Sequence, residues 1–403
     1  METALKKHRV LPKTLNGLPQ QVAWYLLHYL ENKEIVNTLV CKRMTLTLSS
    51  APLTESVLDT HVLQASKYWT VRCVTHHNNS DFAKTLELPD CVQSAVRVLT
   101  WTYDRFVRNV GNLGMCSGLH TLDLRECTQL TNIESLAKCT GLHTLNLRFC
   151  ILLRDTSPLA KLTQLGSLDI GCCQFDDMRF LSELGGLHTL IICGWVELTD
   201  LGPLANCASL TKLDLSDCDQ LQDLGPLTGL KKLHTLHLKW CSVLLDLCPL
   251  ADCGSLHTLD LRFCTGLKDI TPLARCGSLQ TLDLSHCKQV SDVGPLASCM
   301  ELKDINLRSC YCVLDVTPLA SCRSLQTLDL SHCKQVSDVG PLAKCGKLTD
   351  VNLSWCNNKF LGGVVPMANC GSVRVIRFGN RSQVPKGLGS NSEYQIVVDP
   401  CSW

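Results

Sequence analysis

The chain has 403 residues, 45% of them hydrophobic and 19% charged, with a formal net charge of +1. That balance gives no electrostatic reason to expect nucleic acid or an acidic membrane surface as partner. No apolar run reaches the roughly 18 residues needed to span a bilayer, and Met1 to Gln21 lacks the apolar stretch of a secretory signal.

Residues 1–95 carry no repeat. Gly17-Leu18-Pro19 opens a segment with apolar residues at Val22, Leu26, Leu27, Leu30, Ile35, Leu39 and Val40. That spacing predicts amphipathic helices over residues 1–50, with Pro19 where a helix starts. The string Leu18-Pro19, Val22, Leu26-Leu27, Tyr29-Leu30, Glu34-Ile35 and Val40-Cys41-Lys42-Arg43 resembles an F-box. The resemblance implies a short helical module that packs on the Skp-type adaptor of a cullin-based ubiquitin ligase. It implies that Leu18, Pro19, Val22, Leu26, Leu30, Val40 and Cys41 face the adaptor or fill the module's core. The alternative is a helical cap over the first repeat, because the ends of a repeat array need covering. Residues 51–95 read as linker and N-terminal cap. Val57, Leu58, Val62 and Leu63 have helical spacing, and Cys73 to Asp81 reads as a polar loop.

From Val96 to about residue 378 the pattern Leu-x-x-Leu-x-Leu-x-x-Cys recurs, its first Leu at 119, 142, 165, 187, 210, 233, 256, 279, 302, 325 and 348, with a degenerate copy from Val373. Ten of the eleven steps are 22 or 23 residues. Such a beat predicts coils that bury their apolar faces only against their neighbours. In residues 256–278, Leu259 and Leu261 alternate with Thr258, Asp260 and Arg262, the period of a short strand with one buried face. Cys264, Leu267 and Ile270 then turn inward, and Pro272 sets φ at the start of a 3₁₀ or single-turn helix.

Of 27 cysteines, 19 follow the period: ten at the ninth repeat position, as Cys264, and nine three residues before the leading Leu or Val, as Cys276. Core residues behave this way. A thiol is a small hydrophobe with a weak donor, so these read as reduced, buried thiols of an intracellular protein, cytoplasmic or nuclear. No Cys-x-x-Cys pair offers zinc-ligand spacing, so neither a metal nor another cofactor is expected.

These units look like leucine-rich repeats. The Asp-Ile-x-Pro-Leu ending is similar to the bacterial internalin type, and Cys in the usual Asn position is similar to the cysteine-containing type. The combination resembles cysteine-rich repeat proteins of kinetoplastid parasites. The expected fold class is α/β: a solenoid of about 12–13 repeats with a parallel sheet on its concave face and a small N-terminal all-α head. Residues 278–297 and 324–343 are identical and 46 residues apart, so the array grew by duplicating a pair. The coils from Leu165 and Leu187 depart from consensus at Gly171, Cys172, Met178, Leu181, Cys193, Gly194 and Trp195, which marks either an irregular local face or drift. Residues 379–403 drop the repeat and read as a C-terminal cap or tail.

Third, fifth and seventh positions of each coil are expected to face outward, with a fifth column rich in Asp and Asn. An aromatic eighth column stands beside basic residues: Phe149 by Arg148, Trp240 by Lys239, Phe263 by Arg262, with Arg308 and Trp355 further along. Aromatics and arginines dominate protein-binding surfaces, so these eight residues are the candidate partner-binding set. A solvated face with cross-strand pairs is the alternative for most outward positions. The sequence carries no Gly-x-Ser-x-Gly, no phosphate-binding Gly-Lys-Ser/Thr loop and no His-Glu-x-x-His, so no enzyme is expected. The expected role is protein recognition: the substrate-binding subunit of a cullin-type ligase, a monomer inside a larger complex, with an unidentified target. A repeat scaffold or regulator without ubiquitin chemistry is the alternative.

Overall fold

The computed structural model describes residues 44–48, 69–74, 96–356, 363–369, 371–385, 388 and 394–398. The chain divides into two units, Met1–Phe180 and Leu181–Trp403. In the first, β1 (Met44–Leu48), β2 (Trp69–Val74), β3 (Val96–Thr102), β4 (Thr121–Asp123), β5 (Thr144–Asn146) and β6 (Ser167–Asp169) pair in parallel in chain order. In the second, β7 (Thr189–Ile191) and β8 (Lys212–Asp214) lead to β9 (Thr235–His237), β10 (Thr258–Asp260), β11 (Thr281–Asp283) and β12 (Asp304–Asn306). β13 (Thr327–Asp329), β14 (Asp350–Asn352), β15 (Val375–Phe378) and β16 (Gln395–Val398) follow, again parallel and in chain order.

Most coils close through a 3₁₀ turn such as Thr271–Arg275, with Pro in its first positions, and the coil from Leu348 closes through α1 (Val364–Ala368). The residue that starts the turn is a carboxylate two places earlier. Asp155, Asp200, Asp223, Asp246, Asp269, Asp292, Asp315 and Asp338 each accept the backbone N–H two residues on, at 2.6–2.9 Å. These side chains satisfy donors that a short helix leaves without partners.

The interior is built as the repeat predicts. Leu256, Leu259, Leu261, Leu267 and Leu273 are all 0% exposed in one coil, and each buried leucine contributes roughly 2 kcal/mol. Cysteines fill the remaining gaps as two ladders. Ninth-position thiols donate to the sixth-position carbonyl of the preceding coil: Cys264 Sγ reaches Leu238 O at 3.1 Å, and Cys150, Cys173, Cys241, Cys287, Cys310, Cys333 and Cys356 repeat this at 3.0–3.3 Å. On the 3₁₀ side, Cys139, Cys207, Cys253, Cys276, Cys299, Cys322 and Cys345 donate likewise at 3.2–3.6 Å. All 22 cysteines whose side chains are described are free, 19 of them buried.

Three features differ from the sequence reading. Strands β1 and β2 lie upstream of Val96, within the stretches assigned to a helical module and a linker, and Cys73 belongs to β2 and not to a polar loop. Both segments, MTLTL and WTVRCV, alternate polar and apolar residues, the period of a strand. Third, β16 pairs with β15 inside the stretch read as a tail. The predicted adaptor-facing residues Leu18, Pro19, Val22, Leu26, Leu30, Val40 and Cys41 lie outside the described residues. Several departures of the irregular coils turn inward: Met178 is buried in the first unit, where Phe175 and Phe180 meet edge to face at 6.3 Å. In the second unit Leu181 and Trp195 are buried.

Candidate functional site

The outward side of each strand ends in a turn that fixes where its side chains go. Fifth-position Asp and Asn residues accept the backbone N–H of the seventh position through Oδ1. Asp123, Asn146 and Asp169 do so in the first unit, and Asp214, Asp260, Asp283, Asn306, Asp329 and Asn352 in the second, at 2.7–3.1 Å. A column that reads as solvated charge is therefore largely a column of turn-forming groups.

The eighth position follows in the left-handed region: φ is +61° at Phe149, +67° at Trp240, +62° at Phe263, +65° at His286, +59° at Ser309, and +64° at both His332 and Trp355. For a non-glycine residue this conformation costs about 1 kcal/mol or more. It is offset because the turned N–H donates to the next coil. Phe149 reaches Gly171 O at 2.9 Å, Trp240 reaches Arg262 O at 2.8 Å, Phe263 reaches Ser285 O at 2.9 Å, and His286 reaches Arg308 O at 2.8 Å.

Held this way in the second unit, Trp240 stacks on Phe263 with ring centroids 3.8 Å apart, and Phe263 on His286 at 4.2 Å, with planes 7° and 5° from parallel. Trp240 is 40% exposed. Arg262, beside the stack, binds Asp260 through Nε (2.9 Å) and Nη2 (2.5 Å), and its Nε lies 3.8 Å from Asp283. Burial alone would raise the Asp260 carboxyl, but bonds from His237 and Arg262 outweigh it and hold the group well below the usual carboxylate range. Arg308 and Lys239 flank the stripe, the first exposed and the second half-buried. Trp355 instead lies over Gly379, where a Cβ would come within 2.7 Å of its ring, and the Trp355 backbone N–H donates to Gln383 Oε1 at 3.1 Å. In the first unit, Arg148 lies over the half-exposed Phe149 ring at 5.2 Å. The candidate residues thus fall into three places: the Trp240 stack with Lys239, Arg262, Phe263 and Arg308; the Arg148–Phe149 pair; and Trp355 beneath the C-terminal segment.

Next to the stack runs an open trough of about 470 Å³ lined by Asp283, Asp304, Asn306, Asp329, Asn352 and Arg377. Cross-coil bonds lace it: Asn306 Nδ2 to Asp283 at 3.0 Å, Thr327 Oγ1 to Asp304 at 2.6 Å, and Asn352 Nδ2 to Asp329 at 2.9 Å. No group of three or more metal-ligating side chains stands together among the described residues. The eight-residue candidate set omits His286, which completes the stack. The signal was its place in the eighth column.

Comparison with known proteins agrees with this geometry. The family "Leucine Rich repeats (2 copies)" matches residues 117–161, and "Leucine Rich repeat" matches 206–225, 275–295 and 321–341. No curated protein matches by sequence. Among solved structures, an internalin (inlF) from Listeria monocytogenes str. 4b F2365 is 21% identical with a TM-score of 0.66, over 78% of this chain and 90% of that one. A TLR13–ssRNA13 complex is 19% identical with a TM-score of 0.55, over 83% of this chain and 57% of that one. The "functional domain of InlJ" of Listeria monocytogenes, which "includes a cysteine ladder", is 14% identical with a TM-score of 0.43, over 73% and 74% of the two chains. The chain carries leucine-rich repeats and shares its fold with internalin-like structural neighbours. No helix among the described residues is long and apolar enough to cross a membrane.

Proposed function

We propose that the chain is the target-recognition subunit of a cullin-type ubiquitin ligase in a kinetoplastid-like lineage. The outward strand side of the second unit receives a protein target. The segment containing Leu18, Pro19, Val22, Leu26, Leu30, Val40 and Cys41 docks a Skp-type adaptor. The observation that carries the target-binding half is the Trp240–Phe263–His286 stack. Short polar residues enter left-handed backbone more easily than rings do, so the turn does not demand aromatics there. Rings of this kind, part-exposed and beside Arg262, are what protein interfaces use as anchors. The adaptor-binding half is supported by the motif Leu18-Pro19 to Val40-Cys41-Lys42-Arg43. Buried free thiols support a reducing compartment, cytoplasm or nucleus.

Because β1 begins at Met44, the informative truncation removes residues 1–43 and leaves β1 paired to β2. Full-length protein is expected to co-purify with the adaptor, and the truncated chain to lose it while keeping the circular dichroism of the repeats. Leu26→Asp should act like the truncation. An adaptor that never co-purifies with the full chain removes the ligase reading and leaves a repeat scaffold.

A further inference from the structure

Beyond Phe263 the eighth column reads His286, Ser309 and His332, and basic residues stand beside it in the turns. His286 and His332 stand two coils apart, about 10 Å at the usual strand spacing, with Arg308 on the coil between them. The duplicated stretch places Lys288 two residues after His286 and Lys334 two residues after His332. Arg308, Lys288 and Lys334 are exposed, and none forms an ion pair within 4.0 Å among the described residues. Arg262 is different, being held by Asp260. The three free cations lie close enough to the histidines to act on them. Burial lowers the His286 pKa, and Arg308 and Lys288 lower it further; burial, Arg308 and Lys334 do the same at His332, with Asp283 and Asp329 opposing.

We infer that this ridge is the docking site for an acidic segment of the target protein, whose carboxylates pair with Arg308, Lys288 and Lys334 while an adjacent apolar residue packs on Trp240 and Phe263. The inference rests on reading the outward strand side as a protein-binding surface, and it deepens that reading by giving the partner's chemistry. Charge complementarity carries the choice of occupant. Three unpaired cations within about two strand spacings repel one another, and an anion relieves that repulsion. A fork-shaped guanidinium flanked by two ammonium groups suits carboxylates that follow one another along an extended chain. Nucleic acid also combines charge with rings. It fits less well, because Asp283, Asp304 and Asp329 in the neighbouring trough oppose a continuous phosphate backbone, whereas a short acidic segment touches only the ridge.

The test uses the full chain and three fluorescein-labelled probes: a peptide alternating glutamate and glycine with one phenylalanine, its glutamine counterpart, and a polyuridine oligonucleotide. The glutamate peptide is expected to bind about tenfold tighter than the glutamine one at low salt, with the difference shrinking as salt is raised. Arg308→Glu, and separately the Lys288→Glu/Lys334→Glu pair, should abolish that difference without changing the melting temperature. Trp240→Ala should weaken both peptides alike. Equal binding of the two peptides to the unaltered chain would reject the acidic-segment assignment while leaving the surface itself as a binding face. Absence of peptide binding, or binding untouched by the charge reversals, rejects the assignment as well. Tighter binding of the oligonucleotide, lost in the same variants, would replace it with a nucleic-acid site. Adaptor co-purification is independent of all these outcomes.

Discussion

Between pH 9 and about 11 the second unit is expected to lose its native circular dichroism in one steep transition. Burial raises twelve of its thiols above their ordinary value of 9.0, among them Cys207 and Cys299 to about 11, and Cys241, Cys276, Cys287, Cys322 and Cys356 to about 12. An unfolded chain ionises these thiols near pH 9, while the folded chain keeps them protonated. Above pH 9 the unfolded state therefore binds fewer protons, and stability falls as pH rises. Below pH 9 both states are protonated and the thiols' contribution is complete. Each linked thiol removes about 1.4 kcal/mol per pH unit. Four acting together remove about 5 kcal/mol per unit, which reaches the whole stability of an ordinary domain. Circular dichroism followed against pH in the presence of reductant reads this directly. Native signal persisting to pH 11 would mean that water reaches the thiols in the folded chain.

Asp260→Ala is expected to destabilise the second unit by about 3 kcal/mol. Its side chain is 8% exposed, accepts the Arg262 backbone N–H at 3.0 Å, and also binds the Arg262 guanidinium. Removing it leaves the turn donor without an acceptor and leaves Arg262 only the longer contact with Asp283, at 3.8 Å. The penalty is held to that figure because the Arg262 side chain is 42% exposed and water screens part of the loss. Asp260→Asn keeps the Oδ1 acceptor that the turn needs and should recover about half. The pH dependence runs opposite to that of the thiols. The Asp260 pKa is depressed below its ordinary 3.8, so its contribution is present above that pH and is lost as acid protonates the group. Denaturant melts of the two variants check both the size and the order. Equal stability of Asp260→Ala and the unaltered chain would show that this carboxylate does not hold the turn.

The repeat was legible because leucine and cysteine do one job in every coil. Leu259, Leu261 and Cys264 meet the same neighbours one coil away, so the period appears in the residues themselves. β1, β2 and β16 were not legible, because strands of four to six residues outside the leucine frame give alternation and nothing more. The fifth-column aspartates looked like surface charge. Their role as turn acceptors depends on a backbone path that residue type does not specify. The left-handed eighth position was hidden for the same reason, since Trp240 and Phe263 are residue types usually kept out of that region. Lys288 and Lys334 escaped notice because they lie beyond the strand columns, and only the turn brings them beside His286 and His332.

Thiol counting tests the interior most directly. Nineteen of the 22 cysteines whose side chains are described are buried and donate into, or pack within, the coil interior; Cys172, Cys248 and Cys312 are not buried, Cys41, Cys91, Cys370 and Cys401 lie outside the described residues, and Cys73 stands in β2. With dithiobis(nitrobenzoate) and no reductant, the native protein is expected to react at no more than eight thiols, and the denatured protein at all 27. Rapid reaction of most thiols before denaturation, or a denatured count well short of 27 because cysteines are paired, would contradict an interior stacked from free cysteines and leucines.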